Sequence, residues 1–254
     1  AEDATENTVL LAGDRLRTER GRAEVLFADG SILAIDEFTT VDLLDDALMR
    51  LGIGRVRLTI ARGADRLEYR VDTEAGSALI ETAGDYRLTL SGRREDPELD
   101  LAVLRGAAEL VNDRGRTLVR AGLHARATAL RAPSLPYAFN AAAYDAFDRW
   151  AEDQRQARLG YASSRYLPAE VSYYAGAFDR YGEWDREPTY GYVWYPRVSY
   201  GWRPYSTGRW SFYSRFGWTW IGDDRWSWPT HHYGRWGHKG ARWFWIPGKR
   251  WAPA

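Results

Sequence analysis

The sequence has no cysteine in its 254 residues and a single methionine. Disulfides, thiolate metal sites and a lipid-anchored N-terminal cysteine are therefore excluded, while the compartment stays open. It has no unbroken apolar stretch of the roughly 18 residues a membrane-spanning helix needs. It has no signal-peptide pattern, and the start, Ala1-Glu2-Asp3-Ala4, reads as an end left by processing, with a signal peptide already removed. Lysine is almost missing: Lys239 and Lys249 are the only two. Positive charge is thus carried by arginine, which forks to carboxylates and stacks on rings better than lysine does. The 35 basic and 35 acidic side chains cancel, which weighs against a nucleic-acid partner. Also absent are a Ser–His–Asp signature, a phosphate-binding glycine loop and a dinucleotide fingerprint. No residue set supports an enzyme, a cofactor or a metal. His231 and His232 lie near Asp223 and Asp224, but neighbours on a strand point to opposite faces and do not converge on one ion. Asp145, Asp148 and Glu152 share a helical segment with Arg149 and Arg155 and read as solvated ion pairs.

Tryptophan is what the chain has in excess. Twelve of its 13 tryptophans fall between Tyr181 and Trp251, and there they repeat. Gly182-Glu183-Trp184 returns as Gly208-Arg209-Trp210 and as Gly234-Arg235-Trp236, a step of 26 residues each time. Trp194 returns as Trp220 and Trp245. A fixed period of this size signals stacked copies of one small unit. In each copy, alternating aromatic and polar residues flank a short break: Pro188–Gly191, Ser214–Gly217 and His238–Gly240. That pattern predicts three β-hairpins over residues 181–254. Each copy closes on a Trp–Pro element, Trp202-Arg203-Pro204, Trp228-Pro229 or Trp251-Ala252-Pro253, read as a strand end or a sheet edge because proline cannot donate to a ladder. One hairpin is marginal alone, so the three are expected to stack on a shared core.

Residues 1–130 read as all β, a sandwich or β-solenoid of short strands without intervening helices. Asp29-Gly30 predicts a hairpin between Ala23–Phe27 and Ile32–Ile35, and Val56, Leu58 and Ile60 alternate with polar neighbours. Asp45–Leu51 reads as one or two helical turns. Pro133 and Pro136 open a linker, residues 131–180. A helix is predicted at 140–159, N-capped by Asn140 and stopped by Gly160, and a short second one near Pro168–Tyr174.

Gly13-Asp14-Arg15-Leu16-Arg17-Thr18, Asp29-Gly30-Ser31, Gly54-Arg55-Val56, Val71-Asp72-Thr73, Gly84-Asp85-Tyr86-Arg87 and Val119-Arg120-Ala121-Gly122 together resemble a FecR-like domain over about residues 13–130. The resemblance implies a periplasmic or extracytoplasmic β domain. Some FecR-like domains relay signals from outer-membrane receptors to sigma regulators through an attached transmembrane helix. Tyr190-Gly191-x-Val193-Trp194-x-Pro196, Gly201-Trp202-x-Pro204-Tyr205 and Gly217-Trp218-Thr219-Trp220 resemble an uncharacterised Trp-rich domain found downstream of FecR-like domains in Gram-negative secreted proteins. That resemblance implies a compartment and a domain pairing, and no activity.

The function these features support is a non-enzymatic structural or protein-interaction module of the cell envelope, periplasmic or secreted. The alternatives are a glycan- or peptidoglycan-binding module and a FecR-like signalling component. The candidate aromatic surface is Trp184, Trp202, Trp210, Trp226, Trp236 and Trp251. Charge suggests a second surface. Residues 1–130 carry 24 acidic and 18 basic side chains, and residues 181–254 carry 5 and 11, net −6 against +6. Arg203, Arg209, Arg225, Arg235 and Arg242 are the candidate donors and Asp42, Asp45 and Asp46 the candidate acceptors of a dock within the chain, to a neighbouring copy head to tail, or to another envelope protein.

Overall fold

One strand turns the corner of the N-terminal unit. The computed structural model describes residues 3–62, 68–93 and 95–254. Ala1 and Glu2, half of the processed-end reading, lie outside them. Two compact units divide the chain: Leu10–Ala151, and residues 3–9 with Glu152–Ala254.

In the first unit the strands are β1 (Arg15–Arg17), β2 (Ala23–Leu26), β3 (Ile32–Ile35), β4 (Thr40–Leu43), β5 (Leu48–Ile60), β6 (Tyr69–Thr73), β7 (Gly76–Ile80), β8 (Gly84–Arg93), β9 (Asp96–Arg105), β10 (Ala107–Asn112), β11 (Gly115–Arg120), β12 (Leu123–Thr128) and β13 (Tyr137–Ala138). They form one curled 13-stranded sheet. The first half of β5 pairs with β4 and β6, and its second half with β3 and β8. Along β5 the buried apolar residues are Met49 and Leu51, then Val56, Leu58 and Ile60. The inward phase therefore slips from odd to even numbers, and the slip sits at the glycines. The register with β4 shifts beside Gly52, and Gly54 takes φ 94° with Thr39 so close that a Cβ would lie 2.3 Å from its Oγ1. A bulged corner of this kind lets one strand serve two layers. Val41, Leu51, Val71, Leu88, Leu101 and Leu110 meet in the core between them. The helical reading of Asp45–Leu51 is corrected: Leu48 onward is strand, because Met49 and Leu51 alternate into that core. The β2–β3 hairpin forms as predicted, with Gly30 at φ 83° and Asp29 accepting the Ser31 amide.

Helix α1 (Ala146–Arg158) starts later than predicted. Its cap is Asp145, whose Oδ1 accepts the amides of Phe147 and Asp148, both at 2.9 Å. Asn140 instead closes a local turn on the Ala142 amide. Within the first unit the start of α1 lies on the outer face of β3, β5 and β8. Phe147 and Ala151 pack on Ala34, and Arg55 lies over the Phe147 ring. Asp145 pairs with Arg55 and Asp148 with Arg87. Asp148 is fully buried, so its solvated reading is also corrected. Beside it, Arg57 binds Asp85 through Nε at 2.8 Å and Nη2 at 2.5 Å, and both are buried. Burial opposes the charge on Arg57, but the hydrogen bonds and charge of Asp85 outweigh it and hold its pKa above the ordinary arginine value.

In the second unit two 3-10 segments, Ser163–Arg165 and Ala169–Tyr174, lead to α2 (Ala175–Tyr181). Three hairpins follow: β14 (Gly182–Glu187) with β15 (Gly191–Pro196), β16 (Gly208–Tyr213) with β17 (Gly217–Gly222), and β18 (Tyr233–Lys239) with β19 (Arg242–Trp251). The first two breaks fall where the sequence puts them; the third is shorter and later, since β18 runs through His238 and Lys239 and turns at Gly240 and Ala241. The Trp228-Pro229 element does not end a strand. It lies in the short helix α3 (Ser227–His232), where proline in the first turn sacrifices no helical hydrogen bond. The stacking differs too. The first and third hairpins join into a four-stranded sheet, β14-β15-β19-β18, and the middle hairpin stands as a separate two-stranded sheet.

The Arg57–Asp85 pair gives a stability test. Asp85→Ala leaves a buried guanidinium short of its main partner and is expected to cost about 3–5 kcal/mol in urea unfolding. Arg57→Met with Asp85→Leu is expected to recover most of that loss. Equal stability of Asp85→Ala and wild type would show that the pair is immaterial.

Candidate functional site

The Gly-x-Trp repeat has one packing cause. Trp184, Trp210 and Trp236 occupy the same register place, each opposite a tryptophan: Trp194, Trp220 and Trp245. Two residues before each sits a glycine beside the cross-strand indole. A Cβ on Gly182 would lie 2.2 Å from a ring carbon of Trp194. One on Gly208 would lie 2.4 Å from the Ile221 carbonyl and 2.8 Å from the Trp220 ring, and one on Gly234 2.1 Å from the Ile246 carbonyl and 3.0 Å from the Trp245 ring nitrogen. The second strand, by its indole or its backbone, fills the place of a side chain in every copy, and Gly208 and Gly234 also take positive φ.

Burial then separates the copies. Trp194 and Trp245 face each other across β15 and β19 and are fully buried. Phe178 of α2 contacts both, edge-on to Trp194 at 4.8 Å and stacked on Trp245 at 5.0 Å. Their N–H groups reach carbonyls, Trp194 to Phe178 and Trp245 to Tyr233. Trp226 sits among Trp194, Trp202 and Trp236. Of the six tryptophans proposed as surface, Trp226 is therefore core, at 3% exposure. Trp184, Trp202, Trp236 and Trp251 are partly buried. Trp184 donates to Ser163 Oγ, and Trp251 packs on Phe216 and His232. Only Trp210 of the six is exposed, at 49%.

The open aromatic surface is the middle hairpin. Trp210, Phe212 and Trp218 lie on one face of β16–β17, with Phe212 and Trp218 exposed at 64% and 63%. Sequence reasoning missed Phe212 and Trp218. A signal was present: two residues after the repeat tryptophan the copies carry Arg186, Phe212 and His238, so only the middle copy is apolar at that position. Phe212 and Trp218 meet edge to face at 5.8 Å and 72°, and Trp210 meets Trp220 at 5.5 Å and 70°.

The charged candidates are held locally. Asp42 is bound by Arg15, which lowers its pKa through a hydrogen bond. Asp45 accepts the Asp46 amide. Arg242 pairs with Glu183 at 2.7 Å, Arg225 with Glu6 at 3.2 Å, and Arg209 donates to Thr5 Oγ1 at 3.0 Å. Arg235 lies over Tyr190, and Arg203 is exposed. Residues 5–7 thus run along the base of the middle hairpin, where Asn7 also donates to the carbonyls of Gly222 and Asp224.

The two buried histidines sit on α3, not on a strand. His231 donates from Nδ1 to the Ser227 carbonyl at 2.8 Å and accepts the Tyr205 amide at Nε2. Burial lowers its pKa to about 4, so it is neutral. His232 places its ring nitrogens 2.8 and 2.9 Å from the carbonyls of Ala252 and Trp220. A cleft of about 430 Å³ opens beside Tyr166 and Trp184. Its Asp179 is committed to the amides of Ala162 and Ser163, and no histidine lines it. Among the described residues no cluster of three potential metal ligands occurs.

Comparison with known proteins matches residues 14–109 to the family described as FecR protein, and residues 175–254 to a family of unknown function (DUF6600). No curated protein matches. Two crystal structures of a candidate anti-sigma factor from Parabacteroides distasonis are similar at 11% and 12% identity, with TM-scores of 0.42 and 0.41. Each match covers 50% of this chain and 61% of that one.

Two measurements check this division. Trp194→Ala or Trp245→Ala is expected to cost about 3–5 kcal/mol in urea unfolding, and the half-exposed Trp210→Ala about 1 kcal/mol. Equal costs would show that the middle hairpin packs as the others do. For His231 the folded pKa, about 4, lies below the unfolded value near 6.5. Its neutral form contributes fully above pH 6.5, and that contribution is lost as pH falls towards 4. Unfolding free energies of wild type and His231→Gln are expected to converge by about 3 kcal/mol over that window. A constant gap across it would mean that His231 is charged in the fold.

Proposed function

We propose that this chain is a non-enzymatic, extracytoplasmic interaction module of the cell envelope, and that its contact surface is the aromatic face of the middle hairpin. The observation that carries this is the exposure of Trp210, Phe212 and Trp218 together on one face of six-residue strands. Contiguous exposed rings of this kind mark contact sites on soluble domains. The FecR domain at 14–109 supports the envelope setting and a regulatory or signalling context. The chemistry supports the absence of catalysis: buried Asp85 and Asp148 answer to arginines, and the buried histidines to backbone groups. Among the described residues no helix is long and apolar enough to cross a membrane. The glycan alternative relies on the same rings, but their near-perpendicular contacts do not form the flat platform on which a sugar chain stacks.

A photo-reactive amino acid placed at Phe212, with Leu118 on the first unit as control, tests this in intact Gram-negative envelopes. Discrete adducts at 212 and none at 118 are expected, whether with a different envelope protein or with a second copy. Absence of any adduct at 212 would overturn the reading.

A further inference from the structure

The middle hairpin offers an edge as well as a face. Trp220 donates its amide to the Pro253 carbonyl, so its backbone polar groups point away from β16. Trp210 stands opposite Trp220, and residues directly opposite in an antiparallel pair share one orientation. The amides and carbonyls of Trp210 and, two residues on, Phe212 therefore point away from β17. The next outward pair agrees, since Asp223 donates to the Thr207 carbonyl across the ladder. The edge of β17 is occupied at Trp220 by the C-terminal segment. The edge of β16 is open: among the described residues β16 pairs with β17 alone, and Gly208 to Phe212 are mostly exposed. Elsewhere in the unit β15 and β19 meet; β14 and β18 are edge strands too, but of the three first strands β16 alone carries exposed large rings, Trp210 and Phe212. An unpaired edge carrying exposed rings is a template for another strand.

Charge and pattern name the strand that fits. From Arg203 to Gly222 there are three arginines, Arg203, Arg209 and Arg215, and no carboxylate. Arg209 alternates with Trp210 and so projects from the face opposite the rings. It is exposed, and its contact with Thr5 occupies one of its five donors. An incoming strand would therefore carry apolar residues on the side of Trp210, Phe212 and Trp218, and acidic residues on the side of Arg209. We infer that β16 receives an extended peptide segment of alternating acidic and apolar residues, added antiparallel to its open edge. This inference rests on the interaction reading above and specifies the partner. Backbone hydrogen bonds from Trp210 and Phe212 would hold it, the rings would cover its apolar side, and arginine would select its charge.

Fluorescence anisotropy with the full chain and a labelled octapeptide of four Glu-Val repeats tests the inference. Phe212→Ala removes the ring and keeps the outward amide, whereas Phe212→Pro removes both. Proline is tolerated on an edge whose N–H faces solvent, so both variants should keep the wild-type near-ultraviolet spectrum. Expected are saturable binding to wild type, a few-fold loss in Phe212→Ala, and at least a further tenfold loss in Phe212→Pro. The same peptide N-methylated at alternate residues, in the phase that blocks its edge amides, and a Lys-Val octapeptide should each bind at least tenfold more weakly. No binding of the Glu-Val peptide to wild type would overturn the inference. So would equal affinities of the two variants, or equal binding of the N-methylated or the Lys-Val peptide. Binding of an oligogalacturonate with the peptide silent would move the site to an anionic glycan and would equally overturn it. Adducts at position 212 in envelopes without peptide binding would leave the interaction reading standing and remove only the edge addition. Peptide binding without adducts would do the reverse.

Discussion

The contact of Phe178 with Trp194 and Trp245 is what the Trp-rich unit depends on. It lies where β15 meets β19, and it converts two marginal hairpins into one four-stranded sheet. Large rings buried together contribute both area and oriented contacts, and here their N–H groups also find carbonyls. Trp226, Trp202 and Trp236 extend the same cluster, with His231 neutral at its rim. The first glycine of the Gly-x-Trp repeat follows from it, because the Trp194 indole lies against Gly182; at Gly208 and Gly234 the cross-strand carbonyls of Ile221 and Ile246 stand closer still.

The middle copy of that arrangement is incomplete, and the incompleteness is informative. Trp220 stands where Trp194 and Trp245 stand, but among the described residues its buried ring N–H has no hydrogen-bond partner. No β-strand of the other hairpins reaches it; the edge of β17 meets Pro253 and the ring of His232 instead. The middle hairpin is thus attached at one edge and at its base, through Tyr205, Asn7 and the C-terminal segment. Its outer edge and its ring face are left to solvent.

Local chemistry was legible and tertiary pairing was not. The hairpin breaks at Pro188–Gly191 and Ser214–Gly217, and the third at its Gly240, announce themselves because turns need particular residues. The same logic gave the Asp29-Gly30 hairpin. Strand β5 was half read, since a glycine corner shifts the phase of its alternation and each half alone looks too short. Asn140 and Asp145 are both good capping residues, and contact of α1 with the sheet decides for Asp145. The burial of Asp148 was illegible for the same reason: its partners Arg87 and Arg57 lie on distant strands. The site shows the limit most sharply. Trp184, Trp210 and Trp236 look alike in sequence, and which of them meets solvent is set by which hairpin edges join. Trp226 belongs to no strand at all and became core.

The middle hairpin therefore carries the two features that a protein selected for stability alone would remove. Three large rings stay in water, and an edge strand keeps its backbone groups open beside them. Either one is a liability for association, and the usual protections of an edge are a proline, an inward charge or a covering segment. Among the described residues none of these lies along Trp210-Ser211-Phe212, although the opposite edge at Trp220 is covered and the edge strands of the neighbouring hairpins place Arg186 and His238 at the matching position. The middle copy thus has an apolar ring where its neighbours have a polar side chain. A strand left open in this way, in a segment with three arginines and no carboxylate from Arg203 to Gly222, is selective as well as exposed. Its charge repels a second cationic strand and admits an acidic one, so association is limited by chemistry where it is not limited by cover.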